Sequence, residues 1–239
     1  MTPDLAMVLA GITVLLGSVI QGSVGFGMAL VAAPCMMLLD PSLMPGSLLM
    51  VACALALFGV VRDWRHVDWS GFGWALAGRV PGSVGGAWLV VAASPRLLGA
   101  VVGGIVLAAV VLTARTVEIP IRRESLLTAG AFSGVTATST AIGGPVVALL
   151  YQHAPGPRVR GTLGMFFLAG TLFSLSALGV AGELDARELM AGGLMLPFMA
   201  VGLAASVPLR RYLDNGRLRW AVLAIAAGSA VVLLVRSVF

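Results

Sequence analysis

One arginine, Arg79, sits inside an otherwise apolar run from Gly71 to Ala92, and two clusters of glycine and hydroxyl residues interrupt other apolar runs. The first cluster is Gln21-Gly22-Ser23-Val24-Gly25-Phe26-Gly27. The second begins at Ser133-Gly134, continues through Thr136, Thr138, Ser139 and Thr140, and ends at Gly143-Gly144-Pro145. The chemistry these residue types suit is the holding of a small anion. A guanidinium at membrane depth is a costly fixed cation, and such residues mark ion or substrate paths. The Gln21 amide and the hydroxyls of Ser23, Ser133, Thr136, Thr138, Ser139 and Thr140 are donors for tetrahedral oxygens.

Glycine clusters and proline end helices, so each cluster predicts two half-helices joined by unwound backbone. Membranes tolerate such backbone only where it is buried in protein or lines a polar cavity. The segments after Gly25-Phe26-Gly27 and after Gly143-Gly144-Pro145 each start a helix, and proline suits a first turn. A helix N-terminus offers unpaired N–H groups and partial positive charge, so two of them aimed at one cavity make an anion site without a buried lysine. The expected substrate-lining residues are therefore the two clusters and Arg79. The competing reading is structural. Small residues let helices pack closely, hydroxyls bond to their own backbone, and an arginine snorkels or is satisfied by carbonyls.

Other chemistry finds little support. His66 and His153 sit at loop edges, and a Ser133–His153 pair lacks a histidine embedded in a span. Cys35 and Cys53 have no partners at metal-ligand spacing and read as small buried hydrophobes. The acids Asp40, Asp63, Asp68, Glu118, Glu124, Glu183, Asp185, Glu188 and Asp214 fall in or beside loops, which leaves a carboxylate proton relay unsupported. No catalytic residue, metal or cofactor is expected.

The elements that must position these residues are membrane helices. The chain has 239 residues, 59% hydrophobic and 10% charged, with a mean hydropathy of +1.02. These values exclude a soluble domain and predict an all-α, multi-pass membrane protein forming a single membrane domain over 1–239. The net charge of +5 comes from arginines scattered through loops, so a positive-inside bias explains it better than nucleic-acid binding. Asp4, with no basic residue before the first apolar run, argues against a cleaved signal peptide. Trp64, Trp69, Trp74 and Trp220 read as interfacial anchors.

The apolar stretches are Leu5 to Leu39, Leu43 to Val61, Gly71 to Ala92, Leu97 to Ala114, Leu126 to Gln152, Gly161 to Ala181, Leu189 to Val207 and Leu218 to Val235. A single span needs roughly 20 residues and two need about 40, so the first and fifth stretches fit neither one span nor two. They occupy corresponding places in an internal duplication, near 1–116 and 122–239. Gln21-Gly22 matches Ser133-Gly134, and Pro81 with Gly86 matches Pro197 with Gly202. Paired interrupted segments of this kind point to a transporter site at the repeat interface.

Two topologies follow. If the interrupted stretches cross once, there are eight spans and the loop arginines divide seven against seven. If they dip in and return, there are six spans plus two hairpins. One face then holds Arg62, Arg65, Arg115, Arg122, Arg123, Arg158, Arg160, Arg210, Arg211, Arg217 and Arg219, and the other only Arg96, Arg187 and Arg236. Only the second division is a positive-inside signal. Three spans per half would also invert the halves, bringing the hairpin tips together from opposite faces.

The pattern Gly17-x-x-x-Gln21-Gly22-x-x-Gly25-Phe26-Gly27 with Pro34, together with Gly130-x-x-Ser133-Gly134 and Gly143-Gly144-Pro145, resembles the TauE/SafE sulfite exporter family, also called the 4-toluene sulfonate uptake permease family. The likeness spans essentially the whole chain. It implies transport of sulfite, sulfonates or related small anions, with the glycine motifs as site-lining segments. Arg79 is outside that pattern and rests on the physical argument alone. The expectation is a secondary transporter in the cell inner membrane, working by alternating access on a small anionic substrate. A channel-like pore and a carrier of small carboxylates stand as alternatives. Membrane lipids are expected partners, nucleic acid is not, and a homo-oligomer and a coupling ion, proton or sodium, stay open.

Overall fold

The structure, a computed structural model, describes residues 3–24, 26–114, 119–213, 224 and 227–235. Gly25, Arg115, Glu118, Asp214, Arg217, Arg219, Trp220 and Arg236 lie outside the described residues. The described chain is helical and contains no strand: α1 (Pro3–Val24), α2 (Met28–Leu39), α3 (Gly46–Asp63), α4 (Trp69–Ala92), α5 (Pro95–Ala114), α6 (Arg123–Thr140), α7 (Gly144–Tyr151), α8 (Gly156–Ala181), α9 (Ala186–Leu213) and helical residues 227–235. Five helices are long and apolar enough to cross a membrane, at Leu5–Ser23, Gly46–His66, Trp69–Ala92, Gly156–Ala181 and Ala186–Pro208. Their outward faces carry large apolar side chains such as Trp88 and Val180, the surface a hydrocarbon solvent requires.

Local chemistry sets the helix ends. Asp68 caps α4, its Oδ1 accepting from the Gly71 N–H at 3.2 Å. Gly182 ends α8 in the left-handed region at φ 78°, a conformation that glycine adopts without penalty. Proline stands in the first turn of both α7 and α8.

Small residues then decide which helices meet. α4 packs along α6, α1 along α9, and α3 along α8. A side chain on Gly82 of α4 would strike the Ala131 carbonyl, and one on Gly130 of α6 would strike the Ala75 carbonyl. In the α1–α9 seam, a side chain on Gly202 would strike the Leu15 carbonyl. Contact at backbone distance is what lipid-embedded helices use in place of a hydrophobic drive.

The breaks between half-helices are shorter than the sequence predicts. Gln21–Val24 close α1 as helix, and Ser133–Thr140 close α6 as helix. Only a few residues break each pair, with Gly27 at φ 121° and Ala141 at φ 61°. The cluster's hydroxyls are satisfied within the helix, bonding back to the preceding turn: Thr136 to Phe132 O, Ser139 to Val135 O and Thr140 to Thr136 O. After each break the following helix packs against the one before it, α2 against α1 and α7 against α6. The Met28 N–H donates to Gln21 Oε1 at 3.1 Å, and Ser133 Oγ donates to the Gly143 carbonyl at 2.7 Å.

Candidate functional site

Both returning tips open onto one cavity, whose wall includes Gln21, Phe26 and Gly27 from the first break, Ile142, Gly143, Gly144 and Pro145 from the second, and Arg79 from α4. The tips touch: a side chain on Gly144 would lie 3.4 Å from Phe26 Cβ. Leu49 and Ala52 of α3 and Phe167 and Thr171 of α8 complete the wall. The first turns of α2 and α7 therefore face the same space with the positive ends of their helix dipoles, although the Met28 and Leu30 N–H groups are already bonded to Gln21 Oε1 and the Gly27 carbonyl and Pro145 has none.

Arg79 is the charged member of this wall, with 1% of its surface exposed. Its Nη1 donates to Ser133 Oγ at 2.9 Å, and Ser133 passes the contact on to the Gly143 carbonyl, so one hydroxyl ties the cation to the second tip. The guanidinium carbon lies 4.8 Å from the centre of the Phe166 ring. Gly170, one turn further along α8, supplies the space the guanidinium fills, since any side chain there would overlap Arg79 Nε and Cζ. Among the described residues Arg79 Nε has no hydrogen-bond partner. Among the described residues no carboxylate pairs with Arg79; the ion pairs are Asp63 with Arg62 and Arg160, Asp68 with Arg158, and Asp40 with Arg187. A buried cation without a counter-ion beside two helix N-termini suits an anion and repels a cation.

The remaining residues singled out from the sequence divide by position. Gly22 packs α1 onto α9, where an added side chain would overlap Ser206. Ser23 bonds to the Val19 carbonyl. Gly134 lets α6 close on α4 against the Arg79 carbonyl. Thr138 shares a 2.7 Å hydrogen bond with Ser174, tying α6 to α8. Thr136 borders a separate apolar crevice behind the second tip, lined also by Phe132, Ile105 and Val146. Thr140 accepts from the Ile142 N–H at 3.3 Å and shapes the break itself. Ser133 alone of the cluster's hydroxyls bonds to Arg79.

Phe166, Gly170, Phe167, Thr171, Leu49 and Ala52 carry no sequence mark of a site. Phe166 is one of nine phenylalanines, and its relation to Arg79 exists only once α4 packs against α8. Glu188, read from the sequence as lying beside a loop, is 4% exposed in the first turn of α9, with Oε2 lacking a partner.

Comparison with known proteins agrees with the geometry. The family described as Sulfite exporter TauE/SafE matches residues 9–233, nearly the whole chain. No curated protein and no solved structure matches the chain. That family consists of membrane transporters rather than enzymes. With several membrane-length helices folded around a cavity that holds a buried cation, this chain belongs to the TauE/SafE sulfite exporter family.

Proposed function

We propose that the protein is a secondary transporter that moves a small sulfur oxyanion or organosulfonate across the inner membrane by alternating access around the two tips. One observation carries this reading: Arg79, buried and without a counter-ion, shares a cavity with the first turns of α2 and α7. An anion entering there gains a cation and the positive ends of two helix dipoles. Ser133 links that cation to the second tip, so binding and tip position are coupled through a single side chain.

The carrier reading includes six spans and two re-entrant hairpins in two inverted halves, with Leu5–Ser23, itself long enough to cross, taken as the first arm of a hairpin. The ion pairs support it. Asp68 pairs with Arg158 at 2.8 Å and Asp63 with Arg160 at 3.0 Å, which joins the end of α3 and the loop after it to the first turns of α8, beside the loop after α7. Eight single crossings would put those two loops on opposite faces. Asp40 and Arg187, 3.0 Å apart, join the loops after α2 and α8 in the same way. The register of the halves also supports a duplication. α1 and α6 end at Val24 and Thr140, and α2 and α7 start at Met28 and Gly144, each pair 116 residues apart, as are Pro81 and Pro197. In that register Gln21 corresponds to Ala137, so pairing Gln21-Gly22 with Ser133-Gly134 is four residues out of step.

The test is thermal stabilisation of the purified protein by sulfite, sulfate, thiosulfate, sulfoacetate, taurine and simple carboxylates. A ligand at 100 times its Kd stabilises by about 2.7 kcal/mol. Stabilisation confined to sulfur oxyanions or sulfonates is the expected result. Stabilisation by carboxylates alone would transfer the site to that class, and no stabilisation by any anion would refute the reading.

A further inference from the structure

Arg79 is compensated in an unusual way for a buried cation. Its hydrogen bond goes to a neutral hydroxyl, Ser133 Oγ at 2.9 Å, and its Nε has no partner. The electron-rich group against it is the face of Phe166, a fully buried ring 4.8 Å from the guanidinium carbon. Gly170, four residues along the same helix, removes the side chain that would push the guanidinium off this position. Cation–π attraction grows as the pair is desolvated, so this ring acts where it is strongest. A carboxylate in the same place would neutralise Arg79, and an incoming anion would have to displace it. A ring attracts the cation but leaves its charge uncancelled.

We propose that Phe166 is a positioning residue that sets the anion affinity of the site, serving as the resting partner of Arg79 until the anion arrives as its first counter-ion. This rests on the anion-transport reading of the cavity. The ring holds the guanidinium from one side and leaves N–H groups for Ser133 and the anion. Once an anion shares the charge of Arg79, the attraction to the ring weakens. The ring therefore favours the empty site, which holds binding weak enough for the anion to leave on the far side.

The experiment places 4-fluoro-, 3,5-difluoro- and 3,4,5-trifluorophenylalanine at position 166 of the full chain by stop-codon suppression. Fluorine withdraws electron density from the ring face and changes its shape little. Melting is then followed with and without sulfite. Without anion, the melting temperature is expected to fall stepwise, by about 2–4 °C across the series. The added stabilisation by a fixed sulfite concentration is expected to grow, corresponding to roughly threefold tighter binding. A ring that only fills space gives a flat anion-free series, and that result overturns the proposal. A sulfite effect that shrinks along the series overturns it as well. If neither sulfite nor any other anion of the panel stabilises even the unsubstituted protein, the anion reading fails separately, and the anion-free series still decides whether the ring holds the cation.

Discussion

Arg79 is held by groups from two other helices, Ser133 on α6 and Phe166 with Gly170 on α8, so on the proposed reading a change at any of them acts through that one side chain. Gly170→Ala places a methyl group where Arg79 Nε and Cζ stand. It is expected to destabilise the protein by about 1–3 kcal/mol and to remove stabilisation by anions. Gly179→Ala on the same helix meets nothing within 4 Å and is expected to stay within about 0.5 kcal/mol of the wild type with anion stabilisation intact. Melting curves of the two variants with and without sulfite make the comparison. Ser133→Ala strips Arg79 Nη1 and the Gly143 carbonyl of a shared partner and is expected to cost about 1–3 kcal/mol. Arg79 was legible in the sequence because an arginine among apolar neighbours is costly wherever the chain folds. Phe166 and Gly170 were not, because a phenylalanine and a glycine four apart on an apolar helix look the same whether or not a cation lies across them.

Among the elements, α7 has only eight residues, and its far end is anchored through Tyr151. The Tyr151 hydroxyl donates to Asp68 Oδ2 at 3.2 Å, Arg158 donates to the same oxygen at 2.8 Å, and the Asp68 N–H donates to Thr162 Oγ1 at 2.9 Å. This joins the start of α4, which carries Arg79, to the end of α7, which carries the second tip. Partial burial pushes the Asp68 carboxyl up, but the hydrogen bond and charge of Arg158, the Gly71 N–H and Tyr151 together hold it below its ordinary value of 3.8. A carboxyl with a depressed folded value stabilises fully above its unfolded value and loses that contribution as the pH falls through the folded one. The wild type is therefore expected to lose melting temperature below about pH 4 more steeply than Asp68→Asn. Parallel slopes for the two proteins would contradict this anchoring role. The glycine and proline punctuation showed from sequence where α2 and α7 begin. It did not show that Ser133–Thr140 remain helical, because composition does not reveal that these hydroxyls are satisfied by the helix's own carbonyls while α6 packs along α4.

At the scale of the molecule, the arginine count favours the six-span path, and that proposed path draws further support from contacts between loops distant in sequence. The ion pairs Asp68–Arg158 and Asp63–Arg160 carry that information, and no periodicity in the chain encodes it. With Cys35 and Cys53 replaced, single cysteines at Arg65 and His153 are expected to react with a membrane-impermeant thiol reagent from one side of the membrane, and one at Arg187 from the other. Reaction of the Arg65 and His153 sites from opposite sides would contradict the hairpin topology. The central claim is that the cavity at Arg79 carries an anion across the membrane. Its most direct test is exchange of radiolabelled sulfite in proteoliposomes at alkaline pH, where the dianion does not cross lipid. The account predicts saturable exchange and counterflow by the wild type and none by Arg79→Gln that has inserted and retained its fold. Equal exchange by Arg79→Gln, or none by the wild type with any anion of the sulfur series, would contradict it.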